Sequence, residues 1–297
     1  MYKEKIIAHF GAEFYNKVLN DLGKYTDIWG LSGFEQVDYY SVNCIFKCVS
    51  AKYGACILKI GNDSEDSENE YKILKEYNGK HFCKVYEADI PNGVLLLECI
   101  VPGTQLRAEP DLDKRLDIFF DAFRSLHVKP TDKAIYKTYM GWVSDITEYM
   151  RDRKDYENFY EHMYKAEQVC RSLCEKYTGE MLLHGDLHHD NILLGSDNNY
   201  RIIDPKGVVN DIVFDIPRFI LNEFDDVMDD AFYNKYVYIT RTLSEKLNIP
   251  EHDIRRLTYV EMCMANCWNV RGGDTPDIER ILFTEKLMNE IKEIRHE

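Results

Sequence analysis

The sequence has no apolar run that approaches the roughly 20 residues needed to cross a bilayer, so we expect neither a membrane span nor a membrane partner. Its first residues include the charged side chains of Lys3, Glu4 and Lys5, and no long apolar core precedes a small-residue cleavage site. A secretory leader is therefore not expected. The lack of both signals favours a cytoplasmic protein.

Basic residues are also scarce, because 37 Lys and Arg stand against 52 Asp and Glu and leave a net charge of -15. Nucleic-acid-binding proteins need basic stripes that neutralise phosphates, so a nucleic-acid partner is not expected. An acidic surface concentrates cations and would suit a cationic small-molecule substrate. Ordinary solubility explains the same charge equally well.

The nine cysteines do not form a short, loop-rich disulfide framework, and their number is odd. Three pairs share a Cys-x3-Cys spacing, but none has a neighbouring cluster of ligands with zinc spacing. We therefore expect reduced thiols, buried on one face of a helix or strand, rather than a metal or redox site.

Hydrophobic periodicity divides the chain into a β-rich part and a helical part. The first part has an N-terminal helix, five short runs typical of strands, and one helix inserted among them after a polar, acidic stretch. We predict its helices over 4–22 and Glu70–Tyr77 and its strands over 35–40, 43–50, 55–60, 82–88 and 94–99.

The pair Pro102-Gly103 breaks this pattern. From residue 111 onward helical periods predominate, interrupted by one short β insert. The helices are predicted over 112–126, 138–156, 159–177, 213–222, 226–247, 251–271 and 276–295.

The β insert contains the most informative motif, His184-Gly185-Asp186-Leu187-His188-His189-Asp190-Asn191, followed thirteen positions later by Asp204. The spacing Asp-x4-Asn is that of the kinase catalytic loop. Asp186 can hold an acceptor hydroxyl and take its proton, while Asn191 and Asp204 can hold Mg²⁺ against a triphosphate. Strand-like runs over 192–195 and 200–203 predict a β-hairpin with one metal ligand at each end.

This motif and the element order together predict an α+β protein with the two-lobed protein-kinase-like fold. We predict an N-terminal nucleotide-binding lobe over 1–100 and a catalytic and acceptor-binding lobe over 101–297, with ATP in the crevice between them. Lys59 near the end of a strand can reach the α- and β-phosphates. Glu70 can pair with Lys59, and Glu68 is the rival for that role.

Two further segments are candidates for nucleotide contacts. The backbone of Glu98 and Ile100, at the end of the last strand before Pro102, can contact the adenine edge. The glycine-rich phosphate loop of protein kinases is absent, but small Ser41 and turn-prone Asn43 can still hold phosphate through backbone amides. The missing loop argues against a protein kinase.

The segment His184 to Asn191 and the run Ile203-Asp204-Pro205-Lys206-Gly207 resemble the aminoglycoside phosphotransferase family, in particular its streptomycin 6-kinase and hydroxyurea-resistance kinase branch. The resemblance extends over roughly residues 35 to 270 and is most specific over 181–220. It implies a protein-kinase-like fold and transfer of the ATP γ-phosphate to a small-molecule hydroxyl, an activity that often confers antibiotic resistance.

By the same resemblance Asp186 would be the catalytic base, His184 would brace the catalytic loop, and Asn191 and Asp204 would bind Mg²⁺. Asp215 would hold the loop through backbone hydrogen bonds. The sequence departs from the streptomycin branch at Asn210-Asp211, where a glycine is expected.

The acceptor follows less directly from the sequence. An aminoglycoside such as streptomycin is the first hypothesis, and a metabolite such as choline, homoserine or a methylthio-sugar is the alternative. A catalytically inactive, kinase-like binding protein is a third hypothesis. Charge and position give the candidate acceptor contacts, although an acidic helix face can simply be solvated: Glu223, Asp225, Asp226, Glu261, Trp268 and Asn269.

Overall fold

The computed structural model describes residues 2–37, 43–62, 64–224 and 227–290. The chain forms two compact units, Met1–Gln105 with Ile192–Pro205 and Leu106–Asn191 with Lys206–Glu297. The predicted boundary between residues 100 and 101 differs from this division, because the segment 192–205 belongs to the first unit. One β-rich unit and one helical unit confirm the predicted α+β class.

The first unit begins with two helices where the sequence predicts one over 4–22. The chain leaves helical geometry at Gly11, whose φ of 90° suits a residue without a side chain. The second helix runs past the predicted end and stops at Gly30, which adopts the left-handed conformation typical of a helix C-terminus. These helices are α1 (Tyr2–Phe10) and α2 (Ala12–Trp29).

A five-stranded antiparallel sheet and one further helix follow. The strand predicted over 35–40 lies over Leu31–Gln36 instead, and residues 38–42 are outside the described part of the chain. The elements are β1 (Leu31–Gln36), β2 (Asn43–Ser50), β3 (Gly54–Gly61), α3 (Ser64–Tyr77), β4 (Val85–Asp89), β5 (Val94–Glu98) and β6 (Pro102–Gln105). The sheet order is β1-β2-β3-β5-β4.

The core of the first unit forms where α2 covers this sheet. Phe14, Val18 and Tyr25 recur along one face of α2 and pack in one cluster with Phe46 and Leu58 from the strands. The helix α3 begins at Ser64, earlier than predicted, and the acidic side chains in its first turn favour that start.

The second unit begins with three helices and a short strand. Asp111 caps the first helix by accepting hydrogen bonds from the N–H groups of Asp113 and Lys114. The elements are α4 (Leu112–Leu126), α5 (Tyr139–Asp152), α6 (Glu157–Lys176) and β7 (Met181–Leu183).

The chain then enters the predicted hairpin, which belongs to the first unit. Its strands, β8 (Ile192–Gly195) and β9 (Tyr200–Ile202), are antiparallel, with Ile192 opposite Ile202. The hairpin extends β6, so the sheet order is β6-β8-β9. The predicted hairpin is therefore confirmed.

The rest of the second unit is β10 (Val208–Asn210), α7 (Ile216–Leu221), α8 (Asp230–Leu247), α9 (Glu251–Arg271) and α10 (Ile278–Glu290). The strand β10 pairs with β7, so that Val208 lies opposite Leu183 just before the catalytic loop. Where one helix is predicted over 213–222, a 3-10 turn over Ile212–Asp215 precedes α7, because Pro217 favours a helix start.

The helix α9 forms the centre of the second unit, since it packs against α6, α7, α8 and α10. We find no candidate for a membrane-spanning segment among the helices of the described residues. The nine cysteines all lie in the described part of the chain, where none forms a disulfide and seven are buried.

Candidate active site

Lys59 lies between two carboxylates in the first unit. From β3 its Nζ is 2.6 Å from Oε2 of Glu70 on α3 and 2.6 Å from Oδ1 of Asp204 after β9. Burial alone would lower the pKa of Lys59, but the carboxylates of Asp204 and Glu70 outweigh burial and raise the pKa above its ordinary value. The lysine is therefore held as a cation.

Glu70 rather than Glu68 is the partner of Lys59. Glu68 lies on the outer side of α3, where its carboxylate is 2.7 Å from Nζ of Lys72 one turn later. Glu70 instead faces the sheet and is almost completely buried. Two residues that are two positions apart on a helix point to different faces, so only one of them can reach β3.

Asp204 has an unusual backbone conformation. Its φ of 57° lies in the left-handed region, which non-glycine residues rarely adopt, and Pro205 follows it. The strand before it is fixed, because Ile202 donates its N–H to the carbonyl of His81 and accepts a hydrogen bond from the N–H of Cys83. Such conformations concentrate at functional sites, and here the backbone directs the carboxylate towards Lys59.

The catalytic loop in the second unit is held by Asp215. Its carboxylate accepts hydrogen bonds from the N–H of His184 at 2.7 Å and of Gly185 at 2.8 Å, and Nε2 of His127 lies 2.9 Å away. Burial would raise the pKa of Asp215, but the hydrogen bond from His127 and the neighbouring groups outweigh burial and lower it. Asp215 is therefore an ionised support for the loop.

His184 is fully buried inside the loop. Its Nδ1 accepts a hydrogen bond from the N–H of Asp186 at 3.1 Å, which assigns the proton to Nε2. Its carbonyl accepts from the N–H groups of Lys206 and Gly207. Gly185 has a φ of 78°, and an added Cβ would lie 3.4 Å from Lys206, so a side chain is disfavoured there.

Asn191 and Asp186 are linked directly, since Nδ2 of Asn191 donates to the backbone carbonyl of Asp186 at 3.0 Å. This use of the nitrogen leaves the amide oxygen of Asn191 as the possible metal ligand. The Asp186 carboxylate has Oδ2 at 3.7 Å from Nε2 of His188. Burial lowers the pKa of His188, so this imidazole is neutral at pH 7.

The sequence-based prediction missed Arg218, which lies beside Asp186. Its Nε is 3.1 Å from Oδ1 of Asp186, and its Nη2 is 2.5 Å from Oε1 of Glu261. The guanidinium also covers the ring of Trp268, with 4.6 Å between Cζ and the ring centroid. The sequence did contain one signal, the position of Arg218 three residues after Asp215. Residues three apart at a helix lie on the same side, so Arg218 lies near the loop that Asp215 supports.

Glu223 and Glu261, predicted as acceptor contacts, are buried and paired inside the second unit. Glu261 accepts a hydrogen bond from the hydroxyl of Tyr139 at 2.6 Å as well as pairing with Arg218. Burial raises the pKa of Glu261 despite the opposing effect of Arg218. Direct contact of this carboxylate with an acceptor would require its internal pairs to open.

Glu223 is bound by Nε and Nη2 of Arg115, at 2.6 and 2.8 Å, and by Nε2 of His189 at 2.7 Å. Burial alone would raise the pKa of Glu223, but these hydrogen bonds lower it to about 2. Because His189 belongs to the catalytic loop, Glu223 connects that loop to α4. Its role in the structure is internal support, not a surface charge for an acceptor.

The other predicted acceptor contacts differ among themselves. Trp268 is half-buried next to Arg218, and Trp142 lies 5.2 Å from it between ring centroids. Asn269 is exposed, and its carbonyl accepts a hydrogen bond from the N–H of Asp274. Asp225 and Asp226 lie outside the described residues.

The predicted adenine and phosphate contacts are in or beside strands of the first unit. The N–H of Glu98 donates to the carbonyl of Lys84 at 2.8 Å, so it cannot also donate to adenine. Ile100 is half-buried after β5. Asn43 is buried at the start of β2 opposite Gly61, and Ser41 lies outside the described residues.

The donor chemistry of Asn191 and Asp204 fits Mg²⁺, which prefers oxygen ligands and usually combines one or two protein groups with substrate phosphates. Within residues 2–37, 43–62, 64–224 and 227–290, no group of three or more His, Cys, Asp and Glu side chains is placed to hold a metal by itself.

Comparisons with known proteins agree with this geometry. A family model described as aminoglycoside/hydroxyurea antibiotic resistance kinase matches residues 38–273. A hydroxyurea phosphotransferase of Kitasatospora aureofaciens is 24% identical over 219 residues, which is 72% of this chain. The match spans 64% of that relative, less than two thirds of its length.

Solved structures share the fold at low sequence identity. Choline kinase LicA from Streptococcus pneumoniae superposes with a TM-score of 0.67 and 15% identity, covering 93% of this chain and 99% of LicA. Aminoglycoside phosphotransferase APH(4)-Ia, in a ternary complex with ADP and hygromycin B, gives a TM-score of 0.60 and 10% identity, covering 91% of this chain and 96% of that one. The predicted fold and the family resemblance are thus confirmed.

Proposed function

Since this chain belongs to the aminoglycoside/hydroxyurea antibiotic resistance kinase family, we propose that it transfers the γ-phosphate of ATP to a hydroxyl group of a small molecule. The observation that supports this most strongly is the buried pair between Lys59 and Glu70, since an active protein kinase needs such a lysine–glutamate pair in place. Asp204 lies against the same ammonium group. Nucleotides as ligands are supported by relatives of the same fold, because LicA has been solved with AMP and APH(4)-Ia with ADP.

Lys59 would bind the α- and β-phosphates, and Glu70 would keep its ammonium group in place. Asn191 and Asp204 would hold Mg²⁺, which neutralises charge on the phosphates during transfer. Because these residues act by position and charge, the burial of Lys59 and Glu70 matters more than any unusual reactivity.

Asp186 would bind the acceptor hydroxyl and take its proton as the oxygen attacks the γ-phosphate. Oδ1 is already paired with Arg218, so Oδ2 remains for the hydroxyl. This function needs hydrogen-bonding reach rather than a shifted pKa. The hydrogen bonds from the loop to Asp215 and the buried His184 hold the backbone of Asp186 in place before substrate arrives.

For the acceptor we place an N-hydroxy compound such as hydroxyurea first, because the relative from Kitasatospora aureofaciens is named for it. A cationic aminoglycoside such as streptomycin, favoured by sequence alone, is the second candidate and is supported by the net charge of -15. The described carboxylates expected to meet a cation, Glu223 and Glu261, are buried and paired, which favours the neutral acceptor.

The test is ADP release with MgATP against hydroxyurea, streptomycin, kanamycin, hygromycin, choline and homoserine, with MgGTP in parallel. We expect turnover with hydroxyurea, and ³¹P NMR should detect a phosphorylated product. Turnover with streptomycin alone would overturn the neutral acceptor and keep the kinase activity. Tight MgATP binding without transfer to any of these acceptors would instead favour the kinase-like binding protein.

A further inference from the structure

The Arg218 side chain is held on three sides next to the proposed catalytic base. Asp186 lies at Nε, Glu261 at Nη2, and the ring of Trp268 against the guanidinium plane. Only 14% of the side chain is exposed. None of the groups proposed to bind ATP requires an arginine at this place, so its presence next to Asp186 needs another explanation.

The guanidinium brings a permanent positive charge to the border of the acceptor site, because arginine does not lose its proton in proteins. An acceptor hydroxyl bound to Asp186 would lie within a few ångströms of this charge. An ammonium group placed against the guanidinium would be repelled by it, whereas a carbonyl oxygen in the same place could accept a hydrogen bond from an arginine N–H.

The ring of Trp268 lies against the same guanidinium. An aromatic ring face attracts cations, and a tryptophan beside a catalytic loop could bind an ammonium ligand. Here that face is already occupied by the guanidinium of Arg218. Trp142, near Trp268, lies against Gly185, because an added Cβ on Gly185 would be 3.6 Å from its ring. The arginine and the two indoles therefore border the loop at Asp186.

We propose that Arg218 is a positioning residue for Asp186 and a charge filter for the acceptor. Its guanidinium attracts Oδ1 of Asp186 as a close ion pair, leaves Oδ2 for the acceptor hydroxyl, and favours a neutral acceptor with a carbonyl beside the hydroxyl over one with an ammonium group there. This inference rests on the proposed phosphoryl transfer, and it extends that proposal by naming the residue that selects the acceptor.

A purely structural role for Arg218 is the competing explanation, and Arg115 provides a matched control. Both arginine side chains are 14% exposed, and each pairs with a glutamate that is 5% exposed or less. Arg115 pairs with Glu223 instead of Glu261, and its Nη1 donates a hydrogen bond to the carbonyl of Glu109. Replacing either arginine by glutamine would therefore remove a buried ion pair. Only replacement of Arg218 would also remove a positive charge beside Asp186.

The probes are acetohydroxamate and glycine hydroxamate, which share the carbonyl and the N-hydroxyl and differ by one ammonium group. For the wild-type protein and Arg218→Gln, Arg218→Lys and Arg115→Gln, we would measure kcat and KM with MgATP. Dissociation constants in the presence of MgADP would be measured by calorimetry. Melting temperatures would confirm that each variant is folded.

We expect the wild-type protein to favour acetohydroxamate by about tenfold or more in both kcat/KM and affinity. Arg218→Gln should abolish that preference and lower kcat about a hundredfold, because Asp186 loses its orientation. Arg218→Lys should keep the preference but recover only part of kcat, since an ammonium cannot reproduce the planar fork. Arg115→Gln should keep the preference even if it lowers the melting temperature.

An unchanged preference in Arg218→Gln, or an equal loss in Arg115→Gln, would overturn the inference. If Arg218→Gln does not fold, a wild-type-like kcat in Arg218→Lys would also overturn the positioning role. The dissociation constants measured with MgADP test this inference separately from the proposed function. A preference that shifts with Arg218 while no acceptor is phosphorylated would retain the charge filter and reject the kinase activity.

Discussion

The choice of partner for Lys59 illustrates what single residues contribute to the site. The sequence predicted both the lysine and Glu70, because strand and helix periods are visible in the pattern, but it left Glu68 as a rival for the same role. That choice depends on which face of α3 meets the sheet. The predicted helix begins at Glu70, six residues after the observed start at Ser64. With that late start, the hydrophobic pattern does not show which face of α3 meets the sheet.

The two glutamates provide a paired prediction. Glu70→Gln should raise the KM for MgATP about tenfold, because Lys59 keeps Asp204 but loses the partner that anchors it to α3. Glu68→Gln removes only an exposed pair with Lys72 and should leave this KM within about twofold of wild type. Steady-state kinetics with varied MgATP would check both, and equal effects of the two substitutions would contradict the assignment.

Arg218 shows the opposite case, a residue of the site that the sequence did not reveal. The motif analysis found groups that resemble a known catalytic loop, and an arginine on the following helix is not part of that loop. Its position depends on Glu261 and Trp268, which are more than forty residues later in the chain. Sequence reasoning did select those two residues, but as acceptor contacts, because it could not see that Arg218 would occupy them.

Elements were predicted best where local signals are complete. The helices α4 and α9 begin and end at the predicted residues, since Asp111 provides a cap for the first and Pro250 and Gly272 flank the second. The first strand and the N-terminal helix were misplaced, because their ends depend on packing of α2 against the sheet. The hairpin β8–β9 was predicted correctly from its turn residues.

Glu223 connects several elements, and this connection has a pH dependence. The glutamate follows α7 and binds Arg115 on α4 and His189 in the catalytic loop. Its pKa is lowered from 4.5 to about 2, so its contribution to stability is fully present above pH 4.5 and is lost as the pH falls towards 2. Acid should therefore loosen the attachment of the loop.

Glu223→Gln should lower the free energy of unfolding at pH 5, and its difference from wild type should narrow by about 1 kcal/mol between pH 5 and pH 3.5. Urea unfolding at several pH values in this range would measure the difference. Glu68→Gln is a suitable control, because its surface pair is solvent-screened. A difference that stays constant over this range would show that the Glu223 carboxylate is not stabilised by its partners.

The charge of the entire chain leads to a different prediction for each acceptor class. With a net charge of -15, a cationic acceptor would be attracted at low ionic strength, and its KM should rise as salt screens that attraction. A neutral acceptor is not attracted by this net charge, so salt has little effect on its binding. We therefore expect the KM for hydroxyurea to change less than about twofold between 0.02 and 0.3 M salt.

Parallel titrations with streptomycin would serve as the comparison in the same buffers. A strong rise in the KM for hydroxyurea with salt would contradict a neutral acceptor site. The composition predicted an acidic surface but could not locate the charge. In the described structure, acidic side chains such as Glu223 and Glu261 are buried in ion pairs with arginines.

Replacement of Asp186 by Asn tests the proposed phosphoryl transfer most directly. The matched control is Asp190→Asn in the same loop, whose carboxylate is similarly exposed, at 25% against 24% for Asp186, but pairs with Arg107. Transfer from MgATP to hydroxyurea would be followed by ³¹P NMR, and MgATP affinity by calorimetry.

We predict that Asp186→Asn retains MgATP binding and loses about a thousandfold or more in turnover, while Asp190→Asn stays within about tenfold of wild type. Wild-type turnover in Asp186→Asn would contradict the account, because no carboxylate would then be needed to take the acceptor proton.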